Sequence, residues 1–272
     1  MTPPRARRLT ARRAMRRAMR AFVASAAIAL LAACSAADVV RWTPEVVATH
    51  PHDPNAFTQG LLFHEGRLYE STGRYGLSDV REVVLETGAV VRARALEARF
   101  FAEGLARVDD RLVQLTYREG TALVYDLDTF EEVERFTYAG EGWGLCYDGR
   151  ELWMSDGSAR LQRRDPATFE LLGHVEVRRD GRAVEYLNEL ACVGEHVIAN
   201  VWLTTELVRI VKADGRVDAV IDAAALVPDD PAVRANRDAV LNGVAHDPAT
   251  GRWWLTGKLW PVLYEVRFVE AR

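Results

Sequence analysis

Three cysteines in 272 residues are too few for a disulfide framework, and no spacing among them or the six histidines matches a metal-ligand set. The longest predominantly apolar stretch, residues 21–31, is about half of the roughly 20 residues needed to cross a bilayer. There is no GxSxG elbow, no phosphate-binding glycine loop and no spacing that points to a Ser-His-Asp triad, which counts against hydrolases and nucleotide-binding enzymes. Long amphipathic helical patterns are missing; at most a short helix fits near 222–226 or 231–236. Residues 1–33 hold eight arginines and no lysine or acidic residue, so the remainder carries 27 basic and 39 acidic side chains. That acidic body excludes recognition of nucleic acid through phosphate neutralisation.

What the N-terminus does contain is a targeting pattern. A basic stretch from Arg5 to Arg20 precedes the short apolar segment, and Leu31-Ala32-Ala33-Cys34 places small residues directly before a cysteine. This resembles a bacterial lipoprotein signal, with Cys34 acylated after export. The expected organisation is a signal peptide over 1–33, a short linker over 34–41 and a folded domain over 42–272. The domain is then exported, held on the cell envelope by a lipid anchor and facing the periplasm. Cys146 and Cys192 remain in the mature chain; export permits a disulfide, while their apolar strand settings fit two buried thiols equally well.

Residues 39–56 lead in as extended or turning backbone marked by Pro44, Pro51 and Pro54. From Phe57 onward, short apolar strands are broken by turn signals about every 8 to 12 residues, which predicts a sandwich, barrel or propeller. Internal repeats choose among these. Gln59-Gly60-Leu61, Glu103-Gly104-Leu105, Trp143-Gly144-Leu145, Glu189-Leu190-Ala191 and Asn242-Gly243-Val244 align with steps of 44, 40, 46 and 53 residues. Each is followed by a turn, a second strand and a polar or aromatic cluster. Units of this length with about four antiparallel strands each predict an all-β, five-bladed β-propeller.

In a hairpin, the start of the first strand and the end of the second share an edge, so these segments meet around one channel mouth. The ring so formed offers Gln59, Glu103, Tyr117, Trp143, Asp156, Asn188, Glu189, Trp202, Asn242 and Lys258. Acids, amides, one lysine and aromatic walls are the makings of a ligand pocket. Glu103, between Phe101 and Leu105, has the apolar setting that raises a carboxyl pKa and suits proton transfer.

Here a resemblance becomes specific. Ala56-Phe57-Thr58-Gln59-Gly60-Leu61, Phe101-Ala102-Glu103-Gly104-Leu105, Gly140 to Leu145, Tyr186 to Leu190 with Asn200-Val201-Trp202, and Leu241-Asn242-Gly243 with Thr256 to Trp260 resemble the plant/bacterial-type glutaminyl-peptide cyclotransferase family from about residue 42 to 270. The resemblance implies a five-bladed propeller that converts N-terminal glutamine of peptides or proteins to pyroglutamate with loss of ammonia. It implies no metal and no cofactor. It assigns proton transfer to Glu103 and a pocket position to Lys258, which, with Gln59 or Asn188, is then placed to stabilise oxygen charge in the tetrahedral intermediate. Phe57, Gln59, Phe101, Tyr117, Trp143, Asn188 and Trp202 become pocket residues, Tyr117 standing where a tryptophan is usual and Cys146 where a threonine is. The expected partners are Gln-initiated peptides, and the expected state is a monomer. Two rival readings of the same ring are a non-catalytic propeller binding an envelope partner or glycan, and a metal-dependent, lactonase-like propeller using Glu103, Asp156, Asn188 and Asn242.

Overall fold

The computed structural model describes residues 39–271, an all-β body. The signal segment, the linker up to residue 38 and the lipidation candidate Cys34 lie outside the described residues. Five four-stranded antiparallel units follow one another along the chain. Blade 1 comprises Thr58–His64, Arg67–Thr72, Asp79–Val83 and Val90–Ala95. Blade 2 comprises Ala102–Val108, Arg111–Thr116, Thr121–Asp126 and Glu132–Thr137, and blade 3 Leu145–Tyr147, Leu152–Met154, Arg160–Arg164 and Leu171–Glu176. Blade 4 comprises Leu187–Val193, His196–Val201, Glu206–Val211 and Val217–Asp222. Blade 5 takes Leu241–Asp247, Arg252–Gly257 and Val262–Glu270 from the C-terminal end and completes itself with the N-terminal strand Val40–Pro51. The first strand of each blade packs against the first strand of the next, and the fifth against the first, so the ring closes.

Burial follows radial position. Inner strands such as Ala102–Val108 are buried on both faces, whereas outer strands such as Val90–Ala95 and Leu171–Glu176 alternate in exposure as half-solvated strands do. Aromatic rings fill the seams between blades. Phe63 stacks on Trp254 at 4.1 Å between blades 1 and 5, and Phe136 stacks on Phe169 at 5.7 Å between blades 2 and 3. The seam between blades 3 and 4 carries a Cys146–Cys192 disulfide, which resolves the open choice between bond and thiols. Its partners lie 46 residues apart. Chain entropy alone then predicts that reduction, or the double change to serine, lowers unfolding free energy by about 2–4 kcal/mol. Urea unfolding with and without reductant checks this.

The lead-in is more ordered than its prolines indicate. Val40–Pro51 is a strand that begins inside the stretch expected to be linker. It pairs antiparallel with the C-terminal strand, Trp42 opposite Glu270 and Pro51 opposite Val262. Val40 to Trp42 also pair in parallel with Ala219 to Ile221 of blade 4, and Pro44, which has no N–H to give, sits just where that second pairing has stopped. Both short helices occur, as a 3-10 turn Ala224–Leu226 and an α-helix Pro231–Ala235 started by Asp230, whose carboxylate accepts from the Ala232 and Val233 amides.

Strand register corrects the repeat alignment in one blade. The pairs Thr58↔Thr72 and Leu61↔Glu70, Ala102↔Thr116 and Leu105↔Gln114, Leu187↔Val201 and Leu190↔Ala199, and Leu241↔Gly257 and Val244↔Leu255 are equivalent, each enclosing a bulge. Blade 4 therefore aligns as Asn188-Glu189-Leu190, one residue earlier than the sequence pattern places it. The repeat glycine has a steric reason: inner strands crowd one another at the channel. A Cβ on Gly60 would lie 2.6 Å from the Leu105 nitrogen, on Gly104 2.4 Å from the Leu145 nitrogen, and on Gly144 2.0 Å from the Asn188 oxygen. In blade 4 that glycine position is Glu189.

Candidate active site

The bulges create the site. Inserting an extra residue in an inner strand re-aims its side chain, and the bulges place Gln59, Glu103, Asn188 and Asn242 at equivalent points of one channel mouth. In blade 3 the equivalent residue is Trp143, held just ahead of the strand by its N–H to the Ser155 carbonyl at 3.0 Å. The residues following the second strands supply Tyr117, Trp202 and Lys258. At the matching places blades 1 and 3 have Gly73 and Gly157, where a Cβ would strike the rings of Phe101 and Trp143.

Glu103 is 5 % exposed. Its carboxylate accepts from Gln59 Nε2 at 3.1 Å, and its backbone carbonyl accepts from Ser71 Oγ at 2.5 Å. Burial pushes its pKa well above the ordinary carboxylate range; Lys258 opposes the rise, while Glu141 and Glu119 on the rim add to it. Lys258 is also buried, which lowers its pKa against the pull of Glu103, Glu189 and Asp238. Its ammonium lies 4.8 Å from the centre of the Phe57 ring. A buried acid and a buried base, each biased toward its neutral form, thus share one mouth.

Aromatic walls flank them. Phe57 meets Phe101 edge-on at 6.2 Å, Phe101 meets Tyr117 at 5.9 Å, and across the mouth Trp143 and Trp202 form a T-shaped pair at 5.5 Å. Tyr117 spends its hydroxyl on Arg118, which donates to it at 2.9 Å, and Trp143 donates its indole N–H to Glu141 at 3.1 Å. Four buried amide atoms lack any partner: Asn188 Oδ1, Asn242 Oδ1 and both polar atoms of Asn200. Buried polar atoms are rarely left unpaired, and these suit a ligand that carries amide and amine groups.

Several residues here escape sequence reasoning. Asn200 lies in a quoted motif without a role, and Asn242 in the predicted ring has one only in the metal-dependent reading. Behind them, His52 is bracketed by the Trp260 carbonyl at 2.7 Å from Nδ1 and Glu70 at 3.1 Å from Nε2, and Thr58 Oγ1 donates to the same carboxylate at 2.7 Å. The Trp260 carbonyl can only accept, so Nδ1 carries a proton, and the contact at Nε2 holds a second proton between the ring and Glu70, an arrangement that an imidazolium–carboxylate pair satisfies. The pKa values agree in direction, His52 raised by Glu70 against its burial and Glu70 lowered by His52 against its own. No sequence spacing links positions 52, 70 and 260.

Two ring members have other duties. Asp156 turns its carboxylate onto Ser158 and Gln162, closing its own turn rather than lining the mouth. Glu189 reaches across the channel and accepts the Leu61 N–H from blade 1 and the Val244 N–H from blade 5, the latter at 2.7 Å. Among the described residues no three His, Cys, Asp or Glu side chains gather as a metal-ligand group. Three of the residues with left-handed backbone flank the site: Tyr186, Leu203 and Leu259, neighbours of Asn188, Trp202 and Lys258, hold φ of 62°, 66° and 61°. A cavity of about 910 Å³ opens at the opposite mouth, between Leu61, Leu105, Leu145, Leu190 and Val244. Neither Gln59, Glu103, Asn188 and Lys258 nor the aromatic walls line it.

The geometry has relatives. The glutamine cyclotransferase family model matches residues 19–268. An Arabidopsis thaliana protein named glutaminyl-peptide cyclotransferase is 42% identical over 229 residues, which are 84% of this chain and 72% of that protein. The crystal structure of Myxococcus xanthus glutaminyl cyclase matches with a TM-score of 0.80 and 41% identity, covering 86% of this chain and 99% of that one. With most of its length matched by the family model and by both relatives, this chain belongs to the glutamine cyclotransferase family.

Proposed function

We propose that the chain is a glutaminyl-peptide cyclotransferase acting at the Glu103 mouth on peptides or proteins that begin with glutamine. The observation that carries the reading is the buried Glu103 carboxyl, high in pKa, set beside Lys258 between two aromatic walls. The substrate's α-amine attacks the carbon of its own side-chain carboxamide. A C–N bond forms, the amine proton passes to Glu103, and the carbonyl oxygen takes on negative charge. Collapse of the tetrahedral intermediate breaks the bond to the amide nitrogen, which receives the proton from Glu103 and leaves as ammonia.

A carboxyl with a raised pKa suits both halves of this exchange, since it must accept and return one proton near neutral pH. Folding the glutamine side chain between Phe101, Trp143 and Trp202 brings amine and carboxamide together, which supplies the orientation. Lys258, with Asn188, faces the developing oxyanion. Lys258→Met is expected to lower kcat by about 10²-fold with a smaller change in KM, the mark of an interaction made in the transition state. Steady-state kinetics on a Gln-initiated peptide check this.

Ammonia release from such a peptide, assayed with and without a chelator, tests the whole reading. No ammonia from any Gln-peptide favours the binding propeller, and activity lost on chelation favours the metal-dependent one. Outside the catalytic body, the Leu31-Ala32-Ala33-Cys34 pattern supports an exported, lipid-anchored protein of the bacterial envelope. Cys34→Ser should move it from the membrane fraction to the soluble one.

A further inference from the structure

We propose that Asn242 is a positioning residue that fixes which way the Gln59 carboxamide faces, so that Glu103 is always met by a hydrogen-bond donor. The inference rests on the reading of Glu103 as the proton-transfer group. Its starting point is the Thr58 carbonyl oxygen, which can only accept. Asn242 sits 2.9 Å from it, so the atom turned toward Thr58 must be the Nδ2 amide nitrogen. The same NH₂ lies 3.4 Å from Gln59 and therefore faces the Gln59 oxygen. Gln59 is left with its own NH₂ directed at Glu103 Oε1, 3.1 Å away. The orientation of both amides thus follows from a single backbone carbonyl.

Burial makes the arrangement decisive. Asn242 is 0% and Gln59 3% exposed, so solvent does not compete for these contacts. A reversed Gln59 would turn its oxygen to Glu103, and Glu103 could meet it only when protonated. The amide chain therefore favours the ionised form, ready to take a proton, against the burial that disfavours it. The Thr58 carbonyl is itself held in place, because the Thr58 hydroxyl is tied to Glu70 and through it to His52. The other charged groups that act on Glu103 are Lys258, beyond the second strand of blade 5, and Glu119 and Glu141 on the rims of blades 2 and 3. None of them takes part in the amide chain.

The test is the pH profile of kcat/KM on a Gln-initiated peptide for Asn242→Leu, Gln59→Leu and the double variant, with melting curves alongside. Asn242→Leu is expected to move the acid limb upward by about one pH unit, a tenfold loss below the limb. Gln59→Leu should move it by a similar amount. The double variant should move it no further than Gln59→Leu, since Asn242 reaches Glu103 only through Gln59. If Asn242→Leu does not fold, Asn242→Ser serves, because its hydroxyl can bond to the Thr58 carbonyl but is too short to reach Gln59. An unmoved limb in a folded variant, or shifts that add, overturns the proposal. Glu103→Gln is run in parallel: if it keeps turnover, the reading of Glu103 itself fails, and if it is inactive while the limb stays put, only the role of Asn242 fails.

Discussion

Glu103→Gln is expected to lower kcat by about 10³-fold, as loss of an acid/base group does, and to raise the melting temperature at neutral pH. The two effects have one cause. Glu103 is held almost out of solvent, and burial lifts its pKa well above the ordinary value. A carboxyl whose folded pKa exceeds its unfolded one favours the folded state in full below the unfolded value. That contribution is lost as pH rises through the folded pKa, and ionisation then costs stability. Glutamine keeps the shape and the contact with Gln59 but has no charge to bury. With Glu103 as the proposed proton-transfer group, the cost removed is the one its ionisation carries, a trade between stability and activity. Saturating ammonia-release assays and melts at pH 7 check both halves. Turnover within tenfold of the parent would remove Glu103 from the chemistry. A lower melting temperature would mean that the ionised carboxylate stabilises the fold through Lys258.

The opposite result is expected at the other buried carboxylate of the mouth. Glu189→Ala should cost about 3–5 kcal/mol of unfolding free energy, because it strands two buried backbone N–H groups from two different blades. Burial raises the pKa of Glu189 as it does that of Glu103, but here the Val244 and Leu61 amides pull it back. Glutamine should not rescue it, since one end of a carboxamide would point a donor at a donor. Only a carboxylate presents two acceptors in that geometry. A lower urea midpoint with an unchanged slope is the expected signature. Parental stability in the alanine variant would show that water replaces the carboxylate.

These two glutamates also mark how much the sequence could say. The repeat of an apolar strand opened by glycine was visible because crowding at the channel dictates it, and from it came the blade count and the mouth where Glu103, Trp143, Trp202 and Lys258 gather. At Glu189 the same signal misled. Blade 4 has no glycine in register, so the pattern slid by one residue, and a cross-channel brace was read as a pocket residue. Asp156 was misplaced for a related reason: position in a hairpin gives the edge on which a residue lies, whereas local turn bonding decides where its carboxylate points. The place of His52 was illegible because it joins the lead-in to Trp260 of blade 5, segments that become neighbours only when the ring closes. The strand character of 40–51 was hidden by its prolines, which are tolerated where one edge of the strand is free.

That closing strand also gives the molecule a direction. Its Pro51 end lies opposite Val262, on the side of Lys258 and the catalytic mouth, while its Val40 end lies beside Ala219 and Glu270, at the rim of the other face. The chain therefore enters the propeller from the back. The same strand is the clasp of the ring: blade 5 is complete, and the mouth beside Lys258 closed, only once the N-terminal strand has met the C-terminal one.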